Sequence, residues 1–263
     1  ANFEVTTLRI DTESDGRHAT VVFTDDWRLD SARRDLTVNS MFLSVNVKNF
    51  DDNGLATCNQ PMGEKSEVTG RLFDFFGGRK DLSERRIRFV GQPVDRIKED
   101  YLRILRYFRF HGRLSKPEDE DSHDADIIEA ITQNGGGLGK IAGERCWVEL
   151  RQILLCRSAP ALLHRMRESG LFCHLGLPKN ADLTEMGNLW RRGILSRSPN
   201  PATCLASILS TLDEVSYLHS KYSLNPWSSL IALSFAHYPP RSGLCCYLSK
   251  AQDIGAQLIV GIS

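Results

Sequence analysis

The sequence predicts an α+β protein in which a small β-containing start is followed by an all-helical array. Two patterns carry that expectation. Apolar and polar residues alternate at period two on either side of Asp15-Gly16 near the start, and from about residue 93 the apolar positions recur at helical spacing, punctuated by Gly and Pro. A third observation is bulk composition: 263 residues, 41% hydrophobic and 25% charged, which is a globular balance with enough chain for a sizeable core.

Taken in order, Asn2–Ile10 and Ala19–Thr24 read as the two strands of a hairpin. Arg34 to about Val45 reads as a helix anchored by Leu36, Met41, Phe42 and Val45. Residues 46–70 are polar and rich in Gly, Asn and Asp, and read as an exposed loop insertion. Leu72–Phe76 is an apolar run closed by Gly77-Gly78, Ile87–Val90 a short strand, and Val94–Gly112 one strong helix. Pro117–Asp126 is an acidic solvated loop. Helices then follow at about 127–134, 143–157, 159–170, 182–196 and 201–220, and an apolar, helical segment lies beyond Pro226.

Charge sharpens the picture. The chain has no formal net charge, yet residues 1–70 carry about −5, 71–113 about +6, 114–130 about −6 and the rest about +5. Of the 33 basic residues 24 are Arg, a bias suited to bidentate recognition of phosphates or base edges and equally compatible with plain solvated faces. Seven cysteines form no CxxC pair, as in a reduced intracellular protein, and the seven histidines show no HxxxH or HExxH spacing, so nothing calls for zinc. No apolar run is long enough to span a membrane, and no basic-then-apolar leader marks secretion.

The most informative segment is Glu99–Phe110. At about 100° per residue, Ile97, Tyr101, Ile104, Leu105 and Phe108 share an arc that faces the core, leaving Arg103, Arg106 and Arg109 on the opposite side. Asp100 precedes Arg103 by three residues. Cytosine and adenine each present an exocyclic amine beside an unprotonated ring nitrogen. A carboxylate accepting from the amine, next to an Arg donating to the ring nitrogen, favours those two bases over guanine and uracil. The same spacing also suits an ordinary i, i+3 salt bridge. Arg34 and Asp35 can grip phosphates and a ribose hydroxyl, or Asp35 can be a simple N-cap. Arg145 and Glu149 have the spacing of a helix-stabilising i, i+4 bridge.

In succession, Arg33-Arg34-Asp35-Leu36-Thr37-Val38-Asn39, Leu72-Phe73-Asp74-Phe75-Phe76-Gly77-Gly78 with Asp81-Leu82, Glu99-Asp100-Tyr101-Leu102-Arg103, and Gly143-Glu144-Arg145 with Glu149-Leu150 resemble the ordered motifs of class II tRNA nucleotidyltransferases. These are the CCA-adding enzymes, related to bacterial-type poly(A) polymerases. Asn2–Asp11 and Arg88-Phe89-Val90-Gly91 resemble the eukaryotic and mitochondrial form, and the likeness runs over about residues 2–215.

That resemblance implies a remnant of a polymerase-β-like nucleotidyltransferase head over 1–92, a helical neck that reads the base and binds RNA over 93–157, and a helical body over 158–263. It implies tRNA, CTP and ATP as partners and Mg²⁺ as cofactor. By resemblance, Glu4 is catalytic; Arg34, Asp35, Asp100, Arg103, Arg106 and Arg109 bind nucleotide; and Glu144, Arg145 and Glu149 brace the neck. The compartment implied is mitochondrial, cytoplasmic or nuclear.

One departure stands out. The family's Gly-rich strand and turn ending in Asp-x-Asp, which bridges two Mg²⁺ ions, is missing, so no metal ligand is assigned here. Asp119-Glu120-Asp121 and Asp124-Ala125-Asp126 lie in the acidic loop without a preceding strand and read as solvated charge. The expectation is a chain cut at its N-terminus and inactive alone. Two other readings stay open: a poly(A) polymerase of the same superfamily, which uses ATP alone, and a noncatalytic RNA-binding helical module.

Overall fold

The computed structural model describes residues 6–14, 19–50, 56–57, 67–115, 122–179, 181, 183–191 and the isolated positions 201, 204, 205 and 208. Strand β1 (Arg9–Ser14) pairs antiparallel with β2 (Ala19–Phe23), Arg9 opposite Phe23 and Ser14 opposite Ala19. The expected hairpin therefore forms: residues 6–8 of its expected first strand lie outside β1, residues 2–5 lie outside the described set, and the pairing carries an irregularity between Asp11 and Glu13. Asp26 then caps α1 (Trp27–Ala32), accepting from the N–H groups of Arg28 at 2.8 Å and Leu29 at 3.3 Å.

The expected helix over 34–45 is not there. The chain makes one 3₁₀ turn at Thr37–Asn39 and then enters β3 (Phe42–Phe50). Leu36, Met41, Phe42 and Val45 match a helical spacing, but Phe42-Leu43-Ser44-Val45-Asn46-Val47 also alternates at period two. Pairing decides between them: β3 lies between β4 (Ala56–Thr57) and β5 (Glu67–Phe73), with Phe42 opposite Phe73 and Lys48 opposite Glu67. The presumed loop insertion over 46–70 is thus partly a continuation of this hairpin, its residues 51–55 and 58–66 lying outside the described set. Trp27 seals one face of the sheet, its ring centroid 5.3 Å from Phe42 and 4.7 Å from Phe73. On the other face Leu43, Val45 and Leu72 are exposed.

After β5 the carboxylate of Asp74 accepts from the N–H groups of Gly78 at 2.8 Å and Arg79 at 2.9 Å, starting α2 (Gly78–Glu84). Gly78 lies flat against the Thr37 turn, where a Cβ would sit 2.1 Å from the Thr37 carbonyl oxygen. The short strand expected at 87–90 is reduced to one antiparallel bridge between Phe89 and Leu36, flanked by Thr37 N–H to Arg88 O at 3.0 Å and Val90 N–H to Asp35 O at 2.9 Å. These bonds tie residues 35–37 to the segment entering the helices.

The single helix expected over 94–112 is two: α3 (Pro93–Glu99) and α4 (Leu102–Leu114). Asp100 between them is extended, φ −151° and ψ 107°, and its Oδ1 accepts from the Leu102 N–H at 3.0 Å. An aspartate offers the backbone this local bond in place of helix continuation. The apolar stripe survives the break: Ile104, Leu105, Tyr107 and Phe108 are buried against Leu150 and Ile153 of α6 (Gly143–Leu154) and Leu162, Leu163 and Met166 of α7 (Ala159–Glu168). Between α4 and α6 come α5 (Ala125–Asn134) and a 3₁₀ segment, Gly135–Lys140. A further 3₁₀ turn (Phe172–Leu175) leads to α8 (Thr184–Arg191). The remainder of the expected 182–196 helix, most of the 201–220 helix and the segment beyond Pro226 lie outside the described residues.

Gly78→Ala drives a methyl into a fixed carbonyl, and overpacking of this kind costs about 3 kcal/mol. A thermal melt should show its midpoint lowered by at least about 5 °C. Gly139→Ala, where a Cβ meets nothing within 4 Å, should melt like the wild type.

Candidate nucleotide-binding site

Head and helices meet where the Arg33-Arg34-Asp35 turn packs on α3 and α4, and there the charged residues converge. Buried Asp30, at the end of α1, gathers the turn: it accepts from the Arg9 backbone N–H at 3.0 Å, pairs with Arg33 at 2.7 Å and with Arg34 at 3.1 Å. Arg34 also donates to the Asn39 carbonyl at 3.1 Å and lies over the Phe42 ring. Asp35 is no N-cap. It is buried, accepts from Asn39 Nδ2 at 2.8 Å, and takes a short charged hydrogen bond from Arg106 of α4, 71 residues away.

The ion pairs run on from there. Arg106 Nη1 stands 3.8 Å from Glu149 of α6, and Arg109 lies 2.6 Å from the same carboxylate. Arg145 therefore does not make its i, i+4 bridge to Glu149; it pairs with Asp100 Oδ2 at 3.0 Å. The side chains of Asp100 and Arg103 likewise do not pair with each other, although the Arg103 N–H donates to the Asp100 carbonyl at 3.0 Å. Arg103 donates to Glu99, to the Arg96 carbonyl at 3.1 Å and to the Arg33 carbonyl at 3.3 Å. The bland i, i+3 reading thus fails because each partner has a better one: the break at Asp100 turns its carboxylate toward α6, while Glu99 lies one turn before Arg103. Glu144 is exposed in the first turn of α6, and Glu4 lies outside the described residues.

Sequence reading missed Asp30, Glu99 and Arg96. Asp30 and Glu99 stand three or four residues before Arg33, Arg34 and Arg103, so helical spacing held that signal. Arg96 joins α3 to the head by donating to the Val90 carbonyl at 2.8 Å and to the Ala32 carbonyl. No local pattern announces those bonds.

Burial and pairing set the charges in opposite ways. Burial works to raise Asp35, but the Arg106 guanidinium and the Asn39 amide outweigh it and hold its carboxyl below the usual carboxylate range. Burial likewise opposes, and fails to cancel, the backbone and arginine bonds that depress Asp30. At Glu149 burial wins over Arg109 and Arg106, so its carboxyl rises; Arg109 falls for the same reason. The result is a basic wall, Arg103, Arg106 and Arg109, whose carboxylate partners come from three different segments.

Among the described residues no group of three or more His, Cys, Asp or Glu can hold a metal ion. The carboxylates at this site are taken up by guanidinium groups: Asp35 by Arg106, Asp100 by Arg145, Glu149 by Arg109. Asp124 pairs with Arg86 at 3.3 Å ahead of α5, and Asp119–Asp121 lies outside the described residues. Divalent-metal chemistry is characteristic of polymerase-β-like transferases, and these residues do not fit such a site. No helix among the described residues is long and apolar enough to cross a membrane.

Comparison with known proteins first defines the class. Residues 1–88 match the family model described as the poly A polymerase head domain, and residues 124–179 match the probable RNA and SrmB-binding site of polymerase A. A nucleotidyltransferase head followed by a helical RNA-binding region is the resulting description. Identity to individual proteins narrows it. The mitochondrial CCA tRNA nucleotidyltransferase 1 of Mus musculus is 45% identical over 225 residues, 85% of this chain and 46% of its own length. The human protein of that name is 46% identical over 218 residues, 82% of this chain and 44% of its own. The CCA-adding enzyme of Bacillus licheniformis is 34% identical over 176 residues, 66% and 37% respectively. The chain belongs to the class II CCA tRNA nucleotidyltransferase family, and it spans about half the length of the curated relatives it matches. In fold it is similar to a tRNA-processing enzyme solved with CTP (TM-score 0.53, 20% identity, 80% of this chain and 55% of that one). The Bacillus stearothermophilus CCA-adding enzyme in complex with CTP gives a TM-score of 0.50 at 22% identity, covering 96% and 63%.

The depressed carboxyls of Asp30 and Asp35 contribute stability that is present above about pH 4, their ordinary range. It is lost as pH falls through the lower native values. Asp35→Asn should therefore cost about 3 kcal/mol at pH 7 and flatten the loss of stability in acid, both read by denaturant titration at several pH values. Glu149→Gln has the opposite sign, because a raised carboxyl stabilises least once ionised. It should cost far less than Asp35→Asn at pH 7.

Proposed function

We propose that this chain is the nucleotide-selecting and RNA-binding portion of an enzyme that adds C and A to the 3′ end of tRNA from CTP and ATP. In that reaction the tRNA 3′-hydroxyl attacks the α-phosphate, the bond from that phosphorus to the leaving pyrophosphate breaks, and the hydroxyl proton is lost. The observation that carries the reading is the convergence of the Arg34-Asp35 turn, the Asp100 break and the arginine wall of α4 at one junction.

Each residue then has a task that its chemistry suits. Asp100 and Arg103 face the Watson–Crick edge, the carboxylate accepting from the exocyclic amine and the guanidinium donating to the ring nitrogen of C or A. Incoming nucleotide competes with Glu99 for Arg103, and the Glu99 carboxylate, about half exposed, can return to water when it is displaced. Arg34, Arg106 and Arg109 meet the triphosphate, Asp35 orients Arg106 toward it and offers an acceptor to the ribose, and Glu144, Arg145 and Glu149 brace the neck. The division into head (1–92), neck (93–157) and body (158–263) follows, with the mitochondrion as the compartment its relatives favour.

The chain by itself selects nucleotide and does not turn it over: the family's Gly-rich Asp-x-Asp motif is missing from its sequence, and Asp35, Asp100 and Glu149 at the site are paired with arginines. The test is incorporation of labelled CTP and ATP, with Mg²⁺, into a tRNA ending before its CCA. The chain would be assayed alone and again with a family head segment carrying Asp-x-Asp joined to its N-terminus. Incorporation only in the second case, in the order C, C, A, is the expected result. Incorporation by the chain alone would refute the proposed inactivity, and use of ATP alone would turn the assignment to a poly(A) polymerase. Arg103→Ala in the restored protein should remove the preference for C and A; it also gives up the bonds to the Arg33 and Arg96 carbonyls, so its melting temperature should fall by a few degrees.

A further inference from the structure

Asp100 can select a base only if its carboxylate is aimed, and the residue next to it has a contact that bears on this. Tyr101 lies at the break between α3 and α4, half-buried, with its ring against the 3₁₀ segment Gly135–Lys140. Gly137 is buried and presents bare backbone to that ring. A Cβ at Gly137 would stand 2.0 Å from Tyr101 Cδ1, 2.2 Å from Cε1 and 2.3 Å from Cγ. Lys140, one 3₁₀ turn further on, brings its ammonium to 5.9 Å from the ring centroid. Leu138 between them is buried in the core, so the segment is held from behind.

The Cγ distance is the telling one. Spinning the ring about its own axis moves Cδ and Cε but leaves Cγ where it is. Relief of a clash at Cγ must therefore come from χ1 or from the backbone of Tyr101 itself, and that backbone is joined directly to Asp100. Asp100 has little freedom of its own: Oδ1 holds the Leu102 N–H at 3.0 Å, and Oδ2 holds Arg145 at 3.0 Å. Any displacement at residue 101 passes into the carboxylate.

We infer that Gly137 and Tyr101 form a positioning contact for base selection, setting the aim of Asp100 without touching nucleotide. The inference rests on the base-reading role given to Asp100 and Arg103 above. It separates two properties that a general loss of fold would lower together. The triphosphate grip of Arg34, Arg106 and Arg109 does not depend on Tyr101; discrimination between C or A and G or U does.

The experiment is calorimetric titration of the full chain with CTP, ATP, GTP and UTP in the presence of Mg²⁺, alongside thermal melts. Gly137→Ala should lower the preference for CTP and ATP over GTP and UTP roughly tenfold while GTP and UTP bind as to the wild type. Tyr101→Ala, which removes the ring without inserting anything, should do the same and serves if Gly137→Ala does not fold. In the double variant the three ring atoms nearest the methyl are gone, so its selectivity should match that of Tyr101→Ala alone. Unchanged selectivity in the single variants, or additive effects in the double, would overturn the inference. A wild-type chain that binds all four nucleotides alike would instead sink the base-reading assignment, and this inference with it.

Discussion

The contact between Asp35 and Arg106 is the constraint around which the rest is arranged. It joins a turn of the head to the middle of α4 across 71 residues of sequence, and it takes the Asp35 carboxylate out of bulk water while Arg106 keeps about a third of its side chain exposed. A buried carboxylate without a partner would be driven to its neutral form, so the turn and the helix hold each other in register. Thr37 N–H to Arg88 O and Val90 N–H to Asp35 O repeat the link through backbone, and Arg96 repeats it again through the Ala32 and Val90 carbonyls. The junction is thus fixed by polar bonds at its centre and by apolar packing of α4, α6 and α7 behind it.

Such an arrangement explains why the arginines of α4 do not simply repel one another off the surface. Each of the three has a carboxylate from another segment: Asp35 from the head, Glu99 from the end of α3 and Glu149 from α6. Burial makes the Glu149 pair the costly member of the set, while Asp35 repays its own desolvation through Arg106. The proposed nucleotide grip would draw on the same guanidinium groups that hold the junction together, and the wall is assembled without any ligand present.

What was legible in the sequence follows from the range of each interaction. The helical half was readable because its stripe, Ile104, Leu105 and Phe108, repeats locally, and the family was readable because its ordered motifs are distinctive. Where two local patterns coexisted the reading failed. Residues 36–45 satisfy a helical spacing and a strand alternation at once, and only β5, some thirty residues away, selects the strand. The break in the helix at Asp100 was invisible to an apolar count, since Ile97 and Tyr101 keep the stripe continuous across it. The partners of Arg106 and Arg145 lie 71 and 45 residues distant, and no periodicity reports on pairs of that kind. Asp30 and Glu99, by contrast, stood at helical spacing from the arginines they hold.

Breaking the long helix in two also creates a second helix beginning. The first-turn N–H groups of α4, bonded to the Asp100 carboxylate and to the Asp100 and Tyr101 carbonyls, head a new helix dipole equivalent to roughly half an elementary charge along the axis. A continuous helix over 94–112 would have bonded those amides to carbonyls one turn earlier in the same helix and shown no pole at this point. With the break, the pole lies beside Asp100 and at the head of the arginine wall, so its field adds to theirs. A fixed dipole embedded in the protein is screened by mobile ions far less than the exposed lysines and arginines elsewhere on the surface. Raising ionic strength should therefore weaken the pull of those exposed side chains on any polyanion well before it weakens the pull of this pole.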